Sequence, residues 1–162
     1  SIGLLDDNEP VAGVIHVVGG NEVYTGWKNG GAWLNGEKIR VSEARTLADS
    51  LIATGLPYSD FGRLDDYMKL LSWLCMNTQG IRRMGSAAID IAYVACGRFE
   101  VFYEYGLHPW DIAAGIIILR EAGGKISDFH GNERNLTGEE IVSSNSYVYP
   151  EILEIVSKFM NK

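Results

Sequence analysis

Residues 106–124 read GLHPWDIAAGIIILREAGG. The run from Ile112 to Leu119 is apolar or small, and Gly123-Gly124 follows, so the pattern predicts a buried helix over 111–122. A single carboxylate, Asp111, heads it. An aspartate there is either an N-cap, worth about 0.5–2 kcal/mol, or a ligand held at a helix start. Pro109 and Trp110 keep the chain extended before it, which predicts Asp111 at the cap or first helical position. Glu104 lies seven residues earlier, at the end of the aromatic strand FEVFYEYG, and Gly106 permits a sharp turn between the two acids. A strand-end acid and a helix-start acid meet at one edge of a sheet, the edge where open α/β sheets bind ligands.

The helix GSAAIDIAYVACG precedes that strand. Ser86 is its expected N-cap and Gly97 its stop. Residues Gly85 to Ala88 offer backbone N–H groups with almost no side-chain bulk, which suits either close helix–sheet packing or the close approach of an oxyanion or hydroxyl. Further upstream, LDDYMKLLSWLCMNTQ carries apolar residues at the helical period, with Asp65 and Asp66 in its first turn. SLIAT reads as a short buried strand. From Pro10 to about Ser42 the pattern is an antiparallel meander, with Asn35-Gly36 as a hairpin turn. KISDF and IVSSN read as two further strands, and Pro150 is expected at N1 of a closing amphipathic helix. Strands alternating with helices in the last hundred or so residues argue for an α/β layer with a mixed sheet. The expected division is an antiparallel part over 1–41 and a C-terminal α/β domain over 42–162.

A chain of 162 residues, 46% apolar and 22% charged, is of ordinary globular composition. The net charge of −7 argues against nucleic acid as a partner, and no stretch approaches the ~20 apolar residues of a membrane helix. Cys75 and Cys96 both fall in apolar helical patterns, which reads as two buried small hydrophobes in a reducing, cytoplasmic compartment. His16 and His130 have no partner in the pattern, and His108 beside Pro109 reads as structural. The chain contains no Ser-His-Asp order, CxxC pair, HExxH or Walker-type loop, so serine or cysteine nucleophile chemistry is unsupported. The opening SIGLLDD reads as the middle of a strand.

WDIAAGIIILREAGG resembles the second signature of the inositol monophosphatase family, a W-D-x-A-A-G core followed by E-A-G-G. The resemblance extends through GIRRMGSAAIDIAYVACG, EVFYEYGLHPWD and GAWLNGEKIRVS, and so covers essentially the whole chain. It implies the layered α-β-α-β-α sugar-phosphatase fold, of which this chain would be the C-terminal part. It implies Mg²⁺-dependent hydrolysis of inositol-1-phosphate-like polyol monophosphates by metal-activated water, and a homodimer. Asp111 would ligate Mg²⁺ and contact a substrate hydroxyl. Gly85, Ser86 and Ala87 would line the substrate site, and Glu104 would bind an inositol hydroxyl. The family's first signature, D-P-x-D-G-T, and an upstream glutamate pair do not occur in these residues. The resemblance therefore implies a missing N-terminal segment that supplies the other metal ligands, and an isolated chain that is inactive. Two alternatives remain beside this reading. One is a phosphatase for another small phosphate, such as histidinol phosphate, a sugar bisphosphate or adenosine bisphosphate. The other is a non-catalytic, dimerising interaction module.

Overall fold

The computed structural model describes residues 1–134 and 136–160. Five antiparallel strands form the first sheet: β1 (Ile2–Asp6), β2 (Glu9–Val17), β3 (Glu22–Trp27), β4 (Gly31–Leu34) and β5 (Glu37–Ile39), in sequential order. The meander thus begins earlier than the sequence suggested. Asp7 and Asn8, with φ of 48° and 63°, make a two-residue turn that joins β1 to β2. Asn35 and Gly36, with φ of 51° and 85°, form the expected turn between β4 and β5. Positive φ at both central residues matches the right-handed twist of the flanking strands.

The second sheet has the order β7-β6-β8-β10-β9. Its strands are β6 (Leu51–Thr54), β7 (Gly80–Arg82), β8 (Val101–Tyr105), β9 (Lys125–Ser127) and β10 (Glu140–Ser144). β6 runs parallel to both β7 and β8, whereas β10 is antiparallel to β8 and β9. The sheet is mixed, as expected. β7 itself was not expected, because three residues that run into an arginine pair carry no periodicity to read.

Helices α2 (Ala87–Ala95) and α3 (Pro109–Glu121) lie between the two sheets. Helices α1 (Leu64–Asn77) and α4 (Tyr149–Met160) pack on each other and against the outer face of the second sheet. The described residues therefore stack as sheet, helices, sheet, helices. One core cluster joins Ile15, Tyr24 and Ala32 of the first sheet to Phe102 and Ile141 of the second through α2 and α3. The other lies under α1 and α4 and centres on Tyr67, Leu70, Tyr103 and Ile152.

The small residues of the opening motif have a packing reason. Gly3, Gly13 and Gly26 are paired in register across β1, β2 and β3, and they form a flat row on which α3 rests. A Cβ on Gly13 would lie 2.6 Å from the Ala114 carbonyl oxygen, and one on Gly3 would lie 2.7 Å from the Ala113 Cβ. Helix and sheet approach this closely only because neither brings bulk. Overpacking of such a contact costs about 1–3 kcal/mol. Gly13→Ala should therefore lower unfolding free energy by that amount in chemical denaturation. A loss too small to measure would show that α3 has room to move.

Several local expectations are corrected. Helix α3 starts at Pro109, its N-cap is His108, and Asp111 is the third helical residue and not the cap. Ser86 does occupy the N-cap of α2, but its side chain makes no capping hydrogen bond. Pro150 is the second residue of α4, one place later than expected. Cys75 is exposed and Cys96 only half-buried, so neither is the buried hydrophobe the pattern suggested. A residue one step off the apolar stripe of an amphipathic helix can face water, and Cys75 does.

Candidate active site

Chain direction decides where a site can form. From β6 the chain passes through α1, on the outer face, to reach β7 at the edge of the sheet. It then returns through α2, on the inner face, to β8, which lies on the other side of β6. After β8 it continues into α3, also on the inner face. The loops leaving the parallel neighbours β6 and β8 thus go to opposite faces, and a crevice opens outside their carboxyl ends. A cavity of about 530 Å³ lies there, lined by Gly55 after β6, Glu104 and Gly106 at the end of β8, and the starts of α2 and α3.

All five residues singled out from the sequence line this cavity: Gly85, Ser86, Ala87, Glu104 and Asp111. Gly85 turns the chain into α2 with φ of 90°, where a side chain would be strained. Ser86, whose hydroxyl is not spent on capping, lines the cavity. Two helix N-termini converge on one space, and both favour negative charge there.

Asp111 is half-buried, and its Oδ2 accepts a hydrogen bond from the backbone N–H of His108 at 2.9 Å. The question of cap or ligand therefore has a divided answer. One carboxylate oxygen satisfies the helix start, and that bond leaves the other uncommitted. The His108 ring packs on Trp110 at 4.5 Å between centroids, which agrees with a structural histidine.

Glu104 is buried at 7% exposure, and its carboxylate lies directly over Gly55. A Cβ at position 55 would come 1.8 Å from Glu104 Oε1, so only glycine allows this seat. The Gly55 carbonyl is fixed in turn by the Tyr67 hydroxyl, which donates to it at 2.9 Å. Burial pushes the Glu104 carboxyl up to about 7, Arg83 pulls it back, and the charge of Asp111 adds to the rise.

Sequence reading missed Gly55, Arg83 and Asp90. Gly55 carried a weak signal, a glycine directly after a buried strand. The Arg83 guanidinium donates to the Tyr58 hydroxyl at 2.6 Å beside the cavity. Asp90 is buried at 1% exposure on α2. Burial, and after it the charge of Glu104, pushes it up to about 7 against the pull of Arg83. Its signal was a lone acid in an otherwise apolar helix.

Mg²⁺ demands near-octahedral oxygen coordination and is usually held by one or two carboxylates together with substrate phosphate. Among the described residues no three His, Cys, Asp or Glu side chains gather where they could hold a metal. Asp111 offers one uncommitted oxygen, and the neighbouring Glu104 is a buried acid that holds its proton up to about pH 7. These residues do not by themselves make a Mg²⁺ site.

The inositol monophosphatase family model matches residues 1–160. The inositol-1-monophosphatase of Mesorhizobium japonicum is 39% identical over 158 residues, which cover 98% of this chain and 59% of that protein. The Nus factor SuhB of Pseudomonas aeruginosa is 41% identical over 137 residues, covering 83% of this chain and 51% of that protein. The solved structure of inositol monophosphatase from Anabaena (Nostoc) sp. PCC 7120 superposes with a TM-score of 0.90 at 36% identity, covering 98% of this chain and 63% of that one. The chain spans between half and about three-fifths of the length of these curated relatives. With a match along nearly its full length and the same layered architecture, the chain belongs to the inositol monophosphatase family.

Proposed function

We propose that this chain is part of a longer Mg²⁺-dependent phosphomonoesterase that acts on inositol-1-phosphate-like polyol monophosphates. The observation that carries this reading is the convergence of Glu104, Asp111 and the N-terminus of α2 on one cavity at the carboxyl ends of β6 and β8. Each group has a task suited to its chemistry. The backbone N–H groups around Ser86 and Ala87 meet anionic or hydroxyl oxygens, with no bulk at Gly85 to hold a ligand off. Glu104, seated on Gly55, accepts a hydrogen bond from a polyol hydroxyl. Asp111 offers a hard anionic oxygen to the metal and to a substrate hydroxyl. The further ligands come from residues that precede Ser1, and Ser1 itself lines the cavity. Mg²⁺, when bound by the complete ligand set, supplies charge neutralisation at the phosphoryl group and an activated water. A homodimer in the cytoplasm belongs to the same reading.

Glu104→Gln tests it in the longer protein. A buried hydrogen bond to a charged group is worth roughly 1.5–3 kcal/mol, so kcat/KM for inositol 1-phosphate should fall by about one or two decades at pH 8. Nitrophenyl phosphate, with no hydroxyls to lose, should fall much less. Equal losses on both substrates would remove Glu104 from polyol recognition and place it at the phosphoryl end.

A second reading follows from the relative named a Nus factor: a non-catalytic interaction module. The same assay separates the two. A longer protein that hydrolyses none of inositol phosphate, sugar bisphosphate, histidinol phosphate or adenosine bisphosphate, yet is folded, would favour the module.

A further inference from the structure

Asp90 is the only charged side chain of α2, and neither the fold nor the proposed chemistry so far uses it. Its amide donates to the Ser86 carbonyl at 2.9 Å as any helical residue would, and its side chain is sealed from water. Oδ1 is buried without a hydrogen-bond partner. Buried polar groups are nearly always paired, and an unpaired buried carboxylate is among the costliest things a core can hold. An apolar residue would fill the position without that cost. Asp90 lies about one turn behind the cavity wall formed by Ser86, Ala87 and Ala88, on a helix packed against the strand that carries Glu104.

We infer that Asp90 is a positioning residue for Glu104: it stands as a neutral acid behind the cavity wall, so that it adds no second buried charge beside Glu104. The inference rests on the phosphatase reading, in which Glu104 accepts a hydroxyl of the substrate. The charged groups acting on Asp90 are Glu104 of β8 and Arg83 of the segment before α2. Asp111, at the start of the neighbouring α3, acts on Glu104. Arg83 is exposed and donates to Tyr58, so it offsets the burial of Asp90 only in part. Burial and Glu104 together hold the Asp90 proton up to about pH 7.

The sign of the consequence follows. Below that pH Asp90 adds no negative charge behind the wall. Above it Asp90 ionises, a further negative charge appears behind the wall, and an anionic phosphate substrate is repelled. In the longer protein, KM for inositol 1-phosphate should rise by roughly an order of magnitude from about pH 6 to about pH 8.5. In Asp90→Asn, whose carboxamide stays neutral throughout, KM should rise clearly less over that range, Glu104 titrating in both proteins, and the contrast should appear in KM and not in kcat. Identical KM profiles in the two proteins would overturn the inference. A direct readout needs neither turnover nor the variant: side-chain carboxyl ¹³C NMR of wild-type residues 1–162. A midpoint for Asp90 near 7 is expected, and a midpoint in the ordinary carboxylate range near 4 would overturn it. Should Asp90 titrate near 7 while the longer protein hydrolyses no polyol phosphate, the phosphatase reading fails and the neutral Asp90 stands.

Discussion

Asp111→Asn, made in the longer protein, should abolish nearly all Mg²⁺-dependent phosphatase activity while leaving the fold intact. The stability half follows from the geometry of the helix start. Asp111 is the third helical residue of α3, and its structural task is to accept the His108 N–H at 2.9 Å. An asparagine Oδ1 can accept that bond equally. What is lost is one negative charge near a helix N-terminus, worth about 0.3–1 kcal/mol. The activity half follows from ligand chemistry. Mg²⁺ is a hard cation that takes anionic carboxylate oxygens in preference to a neutral amide. Turnover should therefore drop by orders of magnitude, with a melting temperature within a few degrees of wild type. Near-normal turnover at saturating Mg²⁺ would remove Asp111 from the metal shell and leave it a helix-start residue alone.

Residues 1–162, purified alone, should show no Mg²⁺-dependent hydrolysis of inositol 1-phosphate. One carboxylate with one oxygen already committed cannot hold the ions that phosphoryl transfer requires, and no cluster of three potential ligands exists among the described residues. Adding the preceding segment of the longer protein in trans should restore measurable activity, because Ser1 and Asp111 line the same cavity and a segment seated ahead of Ser1 would lie beside it. The assay is best run dilute, since Ile2, Leu4 and Trp27 leave the first sheet with exposed apolar side chains. Robust hydrolysis by the chain alone, verified by mass to carry no further residues, would refute the proposed division of the metal site.

The two acids illustrate how far local pattern reaches. Asp111 and Glu104 were legible as candidates because each sits at an element boundary, and boundaries are marked by glycine, proline and changes of period. Their roles within the fold were less legible. Asp111 was expected at the cap or first helical position of α3 and is its third residue, because Pro109 begins the helix instead of preceding it. A proline is tolerated at the first helical position as readily as before it, and sequence alone does not choose.

By itself the sequence determined the α/β class, the antiparallel meander with its Asn35-Gly36 turn, the helices, and five of the residues that line the cavity. These follow from period, turn chemistry and motif, all of which act within a few residues along the chain. Tertiary structure alone decided that the five meet, since that depends on β6 lying between β7 and β8 with its helices on opposite faces. It decided that Gly55 carries the carboxylate of Glu104, a contact between residues 49 positions apart (104 minus 55). It also turned Cys75 outward and sealed Asp90 inside. Burial and close approach are set by whichever surface the fold lays against a residue, and that surface comes from distant parts of the chain.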